Sequence, residues 1–171
     1  MQAEAMSAAN SFPSMDKESK LLLSGPACSR LKRIRGRRSR RTSLQCARGH
    51  WYVIPPKLEL NHWALQGNWS TGQQAVVLNE ANGRIAYRFH ARDLHLVMTP
   101  PPSGHSVRFR VFIDRQAPGA AHGVDVDSEG HGTLSEPRLY QLIRQPTPIT
   151  GRQFEIEFLD VGAQAFDFTF G

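Results

Sequence analysis

Cysteine is scarce in this chain: there are two, Cys28 and Cys46, both in the first third. Their separation fits neither a C-x-x-C redox pair nor a zinc half-site, and everything after Cys46 must fold without a disulfide. No apolar run approaches the roughly 18 residues of a membrane span. The one apolar run near the start, Leu21-Leu22-Leu23, is too short for a signal-peptide core of about 7–15 residues. A G-x-S-x-G elbow, a P-loop and an H-E-x-x-H pair are all missing, which removes the local signatures of the commonest hydrolase and nucleotide chemistries. No segment carries the sustained 3.6-residue periodicity of a helix of about 11 residues.

Charge is present but unevenly placed. The net charge is +6 over 171 residues. Residues 1–50 hold eleven Lys and Arg against three Asp and Glu, whereas residues 51–171 hold ten against twelve. The basic excess therefore belongs to the first third. Eight basic residues crowd into the twelve of Arg30–Arg41. Such a run repels itself and buries no core, so residues 1–50 are expected to be a disordered basic arm. It reads either as an arm for nucleic acid or an anionic surface, or as a solvated tail or non-native sequence from a misplaced start or frame shift. No aromatics interleave the run, so it offers no base-stacking platform.

From Tyr52 short alternating segments take over, divided by Gly, Pro, Asn and Asp, as in an all-β domain. Ile85, Tyr87, Phe89 and Ala91 alternate with Arg84, Ala86, Arg88, His90 and Arg92. Val107, Phe109, Val111 and Ile113 alternate with Arg108, Arg110 and Phe112. Phe154, Ile156 and Phe158 alternate with Glu155 and Glu157, and Phe166, Phe168 and Phe170 with Asp167 and Thr169. With "LELNHWAL", "QAVVLN", "DLHLVM" and "PRLYQLIRQ" eight segments read as strands, and nine or ten strands are expected over the domain. The expected fold is a jelly-roll-like antiparallel β-sandwich over residues 52–171, with apolar faces inward and charged faces outward.

The blocks "YVIPPKLELNHWALQGNW", "GRIAYRFHARDLHLVM", "HGVDVDSEGHGT", "RLYQLIRQ" and "FTFG" resemble the C-terminal module of DipZ-type proteins. Those are membrane thiol–disulfide proteins of the cytochrome c biogenesis class, which join a transmembrane electron-transfer region, a thioredoxin-like domain and this module. The module resembles a carbohydrate-binding module. The resemblance runs from about Tyr52 to Gly171 and leaves residues 1–50 unmatched. It implies an extracytoplasmic accessory module that binds a glycan or a thioredoxin-like partner domain. The membrane region and the C-x-x-C are absent here, so the thiol chemistry does not carry over. The chain is expected to be the terminal module alone or a fragment of a longer gene, and a binder rather than an enzyme.

Two groups of residues are candidate sites. In "DVDSEGHGTLSE" acidic residues Asp125, Asp127, Glu129 and Glu136 stand at positions one, three, five and twelve of a calcium-type loop, with Gly130 at six. The flanks lack helices, so this is not an EF-hand. A calcium site on a sandwich loop and a plain acidic turn both stay open, and His122 and His131 beside it suit zinc better. The second group is the outward face: Arg88, His90, Arg92, Arg108, Arg110, Glu155 and Glu157, with Tyr140 and Arg144 expected on one side of their strand. Paired polar groups and aromatics hold sugars, while a solvated face of cross-strand ion pairs is the structural alternative. Trp63 and Trp69 are expected in the core, and Trp51 exposed.

Overall fold

The structure, a computed structural model, describes residues 49–171. The Arg-rich run and both cysteines lie outside the described residues. The described residues form ten antiparallel strands in order: β1 His50–Tyr52, β2 Trp63–Thr71, β3 Val76–Leu78, β4 Gly83–Phe89, β5 Asp93–Thr99, β6 Val107–Ile113, β7 His131–Leu134, β8 Arg138–Arg144, β9 Arg152–Phe158 and β10 Gln164–Phe170. Among the described residues the helical content is one 3-10 turn, Gly119–Ala121, and no helix is long and apolar enough to cross a membrane. The all-β antiparallel sandwich expected from the alternation is what forms.

The strand order is β7-β6-β9-β4-β2-β3-β10-β5-β8, with β1 on β2. One curled ribbon makes both layers because β2 changes partners midway. Trp63 to Gln66 pair with β4, whereas Gly67 to Thr71 pair with β1 and β3. The corner falls at Gly67, whose φ is +98° and whose added Cβ would lie 3.2 Å from the Gly83 Cα. A side chain is disfavoured there by conformation and by space together. The Trp69 indole N–H donates to the Gln66 carbonyl at 2.8 Å, so the bend's free acceptor is satisfied from within the core.

The inner faces follow the alternation. Ile85, Tyr87, Phe89, Val107, Phe109, Val111, Ile113, Phe154, Ile156 and Phe158 are buried in one cluster with Trp69, Leu94, Leu96 and Met98. Phe158 meets Trp69 edge-on at 5.9 Å and Phe109 meets Tyr140 at 6.3 Å, geometries that favour aromatic pairs. Trp63 packs partly buried against this core, and Trp51 is exposed.

Two bulges break the expected alternation. Between Ala165 and Phe168, β10 spends one residue more than β5. Ala165, rather than Phe166, then faces the core, with Phe168 behind it. In β8 the extra residue lies at Leu142, because Leu94 faces Ile143 while His95 faces Gln141. Leu142 and Ile143 are both buried. An inserted residue shifts every later side chain by one face. Tyr140 and Arg144 therefore do not share a side, contrary to the strict alternation. Tyr140 is buried, its hydroxyl donates to the Glu136 carbonyl at 2.9 Å, and the Arg138 guanidinium lies over its ring. It offers no surface to a ligand.

Candidate functional site

The face presented by β2, β4, β9 and β6 is built in three cross-strand rows. Gln66, Arg84, Glu157 and Arg110 form the first, and Ala64, Ala86, Glu155 and Phe112 the second. In the third, Arg88 pairs with Gln153, whose backbone N–H and that of Asp114 tie the row to the next turn. Period-2 alternation places all of these side chains away from the core. They are not simply solvated. Residues 54–60 cross the face as a strap, and Leu58 and Ile54 pack on Ala64 and Ala86 to make a second, small apolar cluster. Ala86 and Glu155, expected in water, are buried as a result.

The first row is closed by charge. Arg84 sends Nε and Nη2 to Glu157 at 3.1 and 2.9 Å, with Glu155 at 3.8 Å. Arg84 and Arg110 both lie over the Phe112 ring, at 5.8 and 5.0 Å to its centroid, a contact that holds the ring against the sheet. Gln153 donates from Nε2 to Glu155 at 2.8 Å.

The strap leaves a cleft on each flank. One, of about 430 Å³, is lined by Ile54, Pro55, Gln66, Arg84, Phe112 and Glu155, among others. The larger, of about 710 Å³, lies between the strap's Lys57, Glu59 and Leu60 and the sheet's Arg88, His90 and Gln153. Asp114 stands at its rim and accepts from Arg152 Nη1 at 2.7 Å and from the Gln153 backbone at 2.9 Å. Burial raises the Asp114 pKa, but those hydrogen bonds, helped by the charges of Arg152 and Arg88, outweigh it and leave the carboxyl below its ordinary range. Arg115 reaches both clefts.

The residues expected to act together on this face separate into groups. Arg88 and His90 line the larger cleft, and Glu155 the smaller. Arg110 and Glu157 stay in the first row. Arg108, two residues before Arg110 on β6, instead binds Asp160 through two nitrogens, at 3.0 and 2.9 Å, and these hydrogen bonds pull the Asp160 pKa down to about 2. Arg92 and Arg144 belong to neither cleft. Both close on Asp93, a buried acid at the start of β5, at 2.7 Å each. Lys57, Asp114, Arg115 and Gln153 were not singled out by alternation. Lys57 follows the Pro55-Pro56 pair, which signals extended chain, and Asp114-Arg115 sits between two bridging residues as a two-residue turn.

The acidic loop has a different task. It joins β6 to β7 and runs along the free edge of β8, where Gly123 N–H donates to the Leu142 carbonyl at 2.9 Å. Asp125 accepts from the Gln141 backbone and from Arg138, both at 2.7 Å. Asp127 takes the His131 backbone N–H at 2.8 Å, and that bond chiefly holds its pKa below the usual carboxylate range. Gly130 turns the chain at φ +87°. The loop thus bridges the two end strands of the ribbon. Asp125 and Asp127 are turned to backbone N–H groups, Arg138 and His131 rather than to one another, and among the described residues no group of three or more His, Cys, Asp or Glu is placed to hold a metal ion. The calcium-loop spacing of Asp125, Asp127 and Glu129 does not translate into convergence, because the ligand spacing of such a loop needs its own backbone coil. Glu136 pairs with Arg138 instead.

No curated protein matches the chain. A comparison with protein families matches residues 32–171 to the family described as the thioredoxin-like C-terminal domain, reaching about twenty residues further toward the N-terminus than the resemblance drawn from Tyr52. With most of its length and the whole sandwich inside that match, the chain belongs to the thioredoxin-like C-terminal domain family.

Proposed function

We propose that this chain is a non-catalytic accessory module of extracytoplasmic thiol–disulfide machinery of the DipZ type, and that the larger strap cleft binds a glycan. One observation carries the reading: hydrogen-bonding side chains of Arg88, His90 and Gln153 converge with Lys57 and Arg115 on one concave, strap-walled cleft. Sugars present many hydroxyls in fixed geometry, and a concave site with several oriented polar groups matches that chemistry. The chain has no C-x-x-C, and its polar clusters are closed by ion pairs rather than arranged as a nucleophile, base and orienting group. The test is calorimetric titration of the full chain with a panel of neutral and acidic oligosaccharides, beside an insulin-reduction assay. Saccharide binding without thiol turnover supports the reading. Turnover that depends on Cys28 or Cys46, or no saccharide binding at millimolar concentration, overturns it.

A second reading rests on a different surface. Trp51 and Val53 are each 67% exposed, on and just after β1, which pairs only with β2 among the described residues. Such an edge suits a partner domain, and the thioredoxin-like domain implied by the family resemblance is the candidate. Trp51→Ala would then weaken domain docking and leave saccharide binding intact. The basic arm Arg30–Arg41 has the composition for nucleic acid or an anionic surface, and affinity that collapses with added salt would assign binding there instead.

A further inference from the structure

Residues 49–171 contain ten Lys and Arg. Six of them, Arg84, Arg92, Arg108, Arg138, Arg144 and Arg152, are ion-paired. Arg110 lies over Phe112 and donates to the Glu129 carbonyl. The remaining three are Lys57, Arg88 and Arg115, and all three line the larger strap cleft. None of them makes a side-chain hydrogen bond or a salt bridge within the described residues. The acids in that cleft do not offset them fully. Asp114 is already committed to Arg152 and to the Gln153 backbone, and Glu59 stands 3.9 Å from His62.

Arg115 is also held where it is at a conformational cost. Asp114 and Arg115 have φ of +50° and +67°. Ile113 and Gln116 exchange two backbone hydrogen bonds across them, each 2.9 Å. This is the two-residue hairpin turn with both central residues left-handed, where Gly and Asn are the usual occupants. Asp tolerates that region better than most residues, and Asp114 is held in it by the Arg152 guanidinium and the Gln153 backbone N–H of the neighbouring strand. Arginine gains nothing local from it. An arginine kept in a left-handed turn, lining the clefts beside the strap and without a side-chain partner among the described residues, is the arrangement expected of a binding group rather than a structural one.

We propose that the larger strap cleft selects a carboxylate-bearing saccharide of the uronate type, with Arg115 as the specificity-determining residue and Arg88 and Lys57 completing the anion's surroundings. The proposal rests on the glycan reading above and narrows it. A guanidinium pairs a carboxylate through two parallel N–H donors, while His90 and the amide oxygen of Gln153, whose Nε2 donates to Glu155, remain for ring hydroxyls.

The test uses the full chain and three probes: trigalacturonate, cellotriose as a neutral trisaccharide, and inorganic phosphate. Trigalacturonate is expected to bind, cellotriose to bind at least about tenfold more weakly, the scale set by one charged hydrogen bond, and phosphate to compete only weakly. Arg115→Gly provides the sharp variant, because glycine suits the turn. It should melt no lower than wild type and still lose about tenfold or more in trigalacturonate affinity. Equal binding of the neutral and acidic trisaccharides, or unchanged affinity in Arg115→Gly, overturns the selectivity and leaves the glycan reading standing. Phosphate binding as tightly as trigalacturonate reduces the cleft to a bare anion site and also overturns it. Binding of no saccharide removes the glycan reading and this inference together.

Discussion

Asp93 is the residue whose replacement should say most about how this sandwich is held at its β5–β8 edge. It is buried, and its two oxygens take three side chains: Arg92 at 2.8 Å, Arg144 at 2.7 Å and Gln141 at 3.1 Å. Its backbone N–H also donates to the Gly171 carbonyl at 3.0 Å, so the same corner anchors the end of β10. Asp93→Asn keeps the volume and one acceptor oxygen but removes the charge. A hydrogen bond to a charged group contributes about 1.5–3 kcal/mol. Arg92 and Arg144 are more than half exposed, so water recovers much of each loss and their share falls to about 0.5–1 kcal/mol apiece. With Gln141 added, the expected destabilisation at pH 7 is about 2 kcal/mol, or roughly 6–10 °C in Tm for a domain of this size.

The pH dependence separates charge from shape. Burial raises the Asp93 pKa, but the hydrogen bonds and charges of Arg144 and Arg92 outweigh it and the folded value lies below the ordinary 3.8. The carboxylate's contribution is therefore complete above the unfolded pKa and is lost as pH falls through the folded one. Urea denaturation of wild type and Asp93→Asn, from pH 7 down to about pH 2.5, should show a gap that is constant above pH 5 and narrows below 3.8. A gap of the same size at both extremes would mean that the loss is one of packing. No gap at pH 7 would mean that the two arginines are solvated ornaments of the surface.

Gly67→Ala should cost about 2 kcal/mol or more, because it combines a φ of +98° with a backbone neighbour at 3.2 Å, and a thermal melt of the full chain that is unchanged would show that β2 does not turn its corner there. Asp125→Ala should lose about 1–2 kcal/mol by stranding the Gln141 N–H at the β8 edge, while millimolar calcium should leave the melting temperature of wild type and variant where it was. A calcium-dependent rise in wild type that Asp125→Ala or Asp127→Ala abolishes would contradict the placement of those carboxylates.

Period-2 alternation was enough to read eight of the ten strands and the sandwich, because the side-chain period of a strand is a local property of the backbone, but it missed the short β1 and β7 and took Leu58 to Asn61, which lie outside any strand, as the start of one. β4, β6 and β9 follow it residue by residue. The same rule failed at Leu142 and at Phe166, where the bulge exists only in relation to β5 and leaves no mark on one strand's own pattern. The candidate site divides along the same line. That Arg88, His90, Glu155 and Glu157 face outward follows from the alternation. That the strap covers Ala86 and Glu155, that Arg92 and Arg144 both close on Asp93, and that Lys57, Arg88 and Arg115 are left to share a cleft are consequences of contacts between residues far apart in the chain. The acidic loop shows the difference most plainly. Its spacing is written in the sequence, but where a carboxylate points is decided by which N–H or guanidinium the fold brings near it, and here those are Gln141, Arg138 and His131.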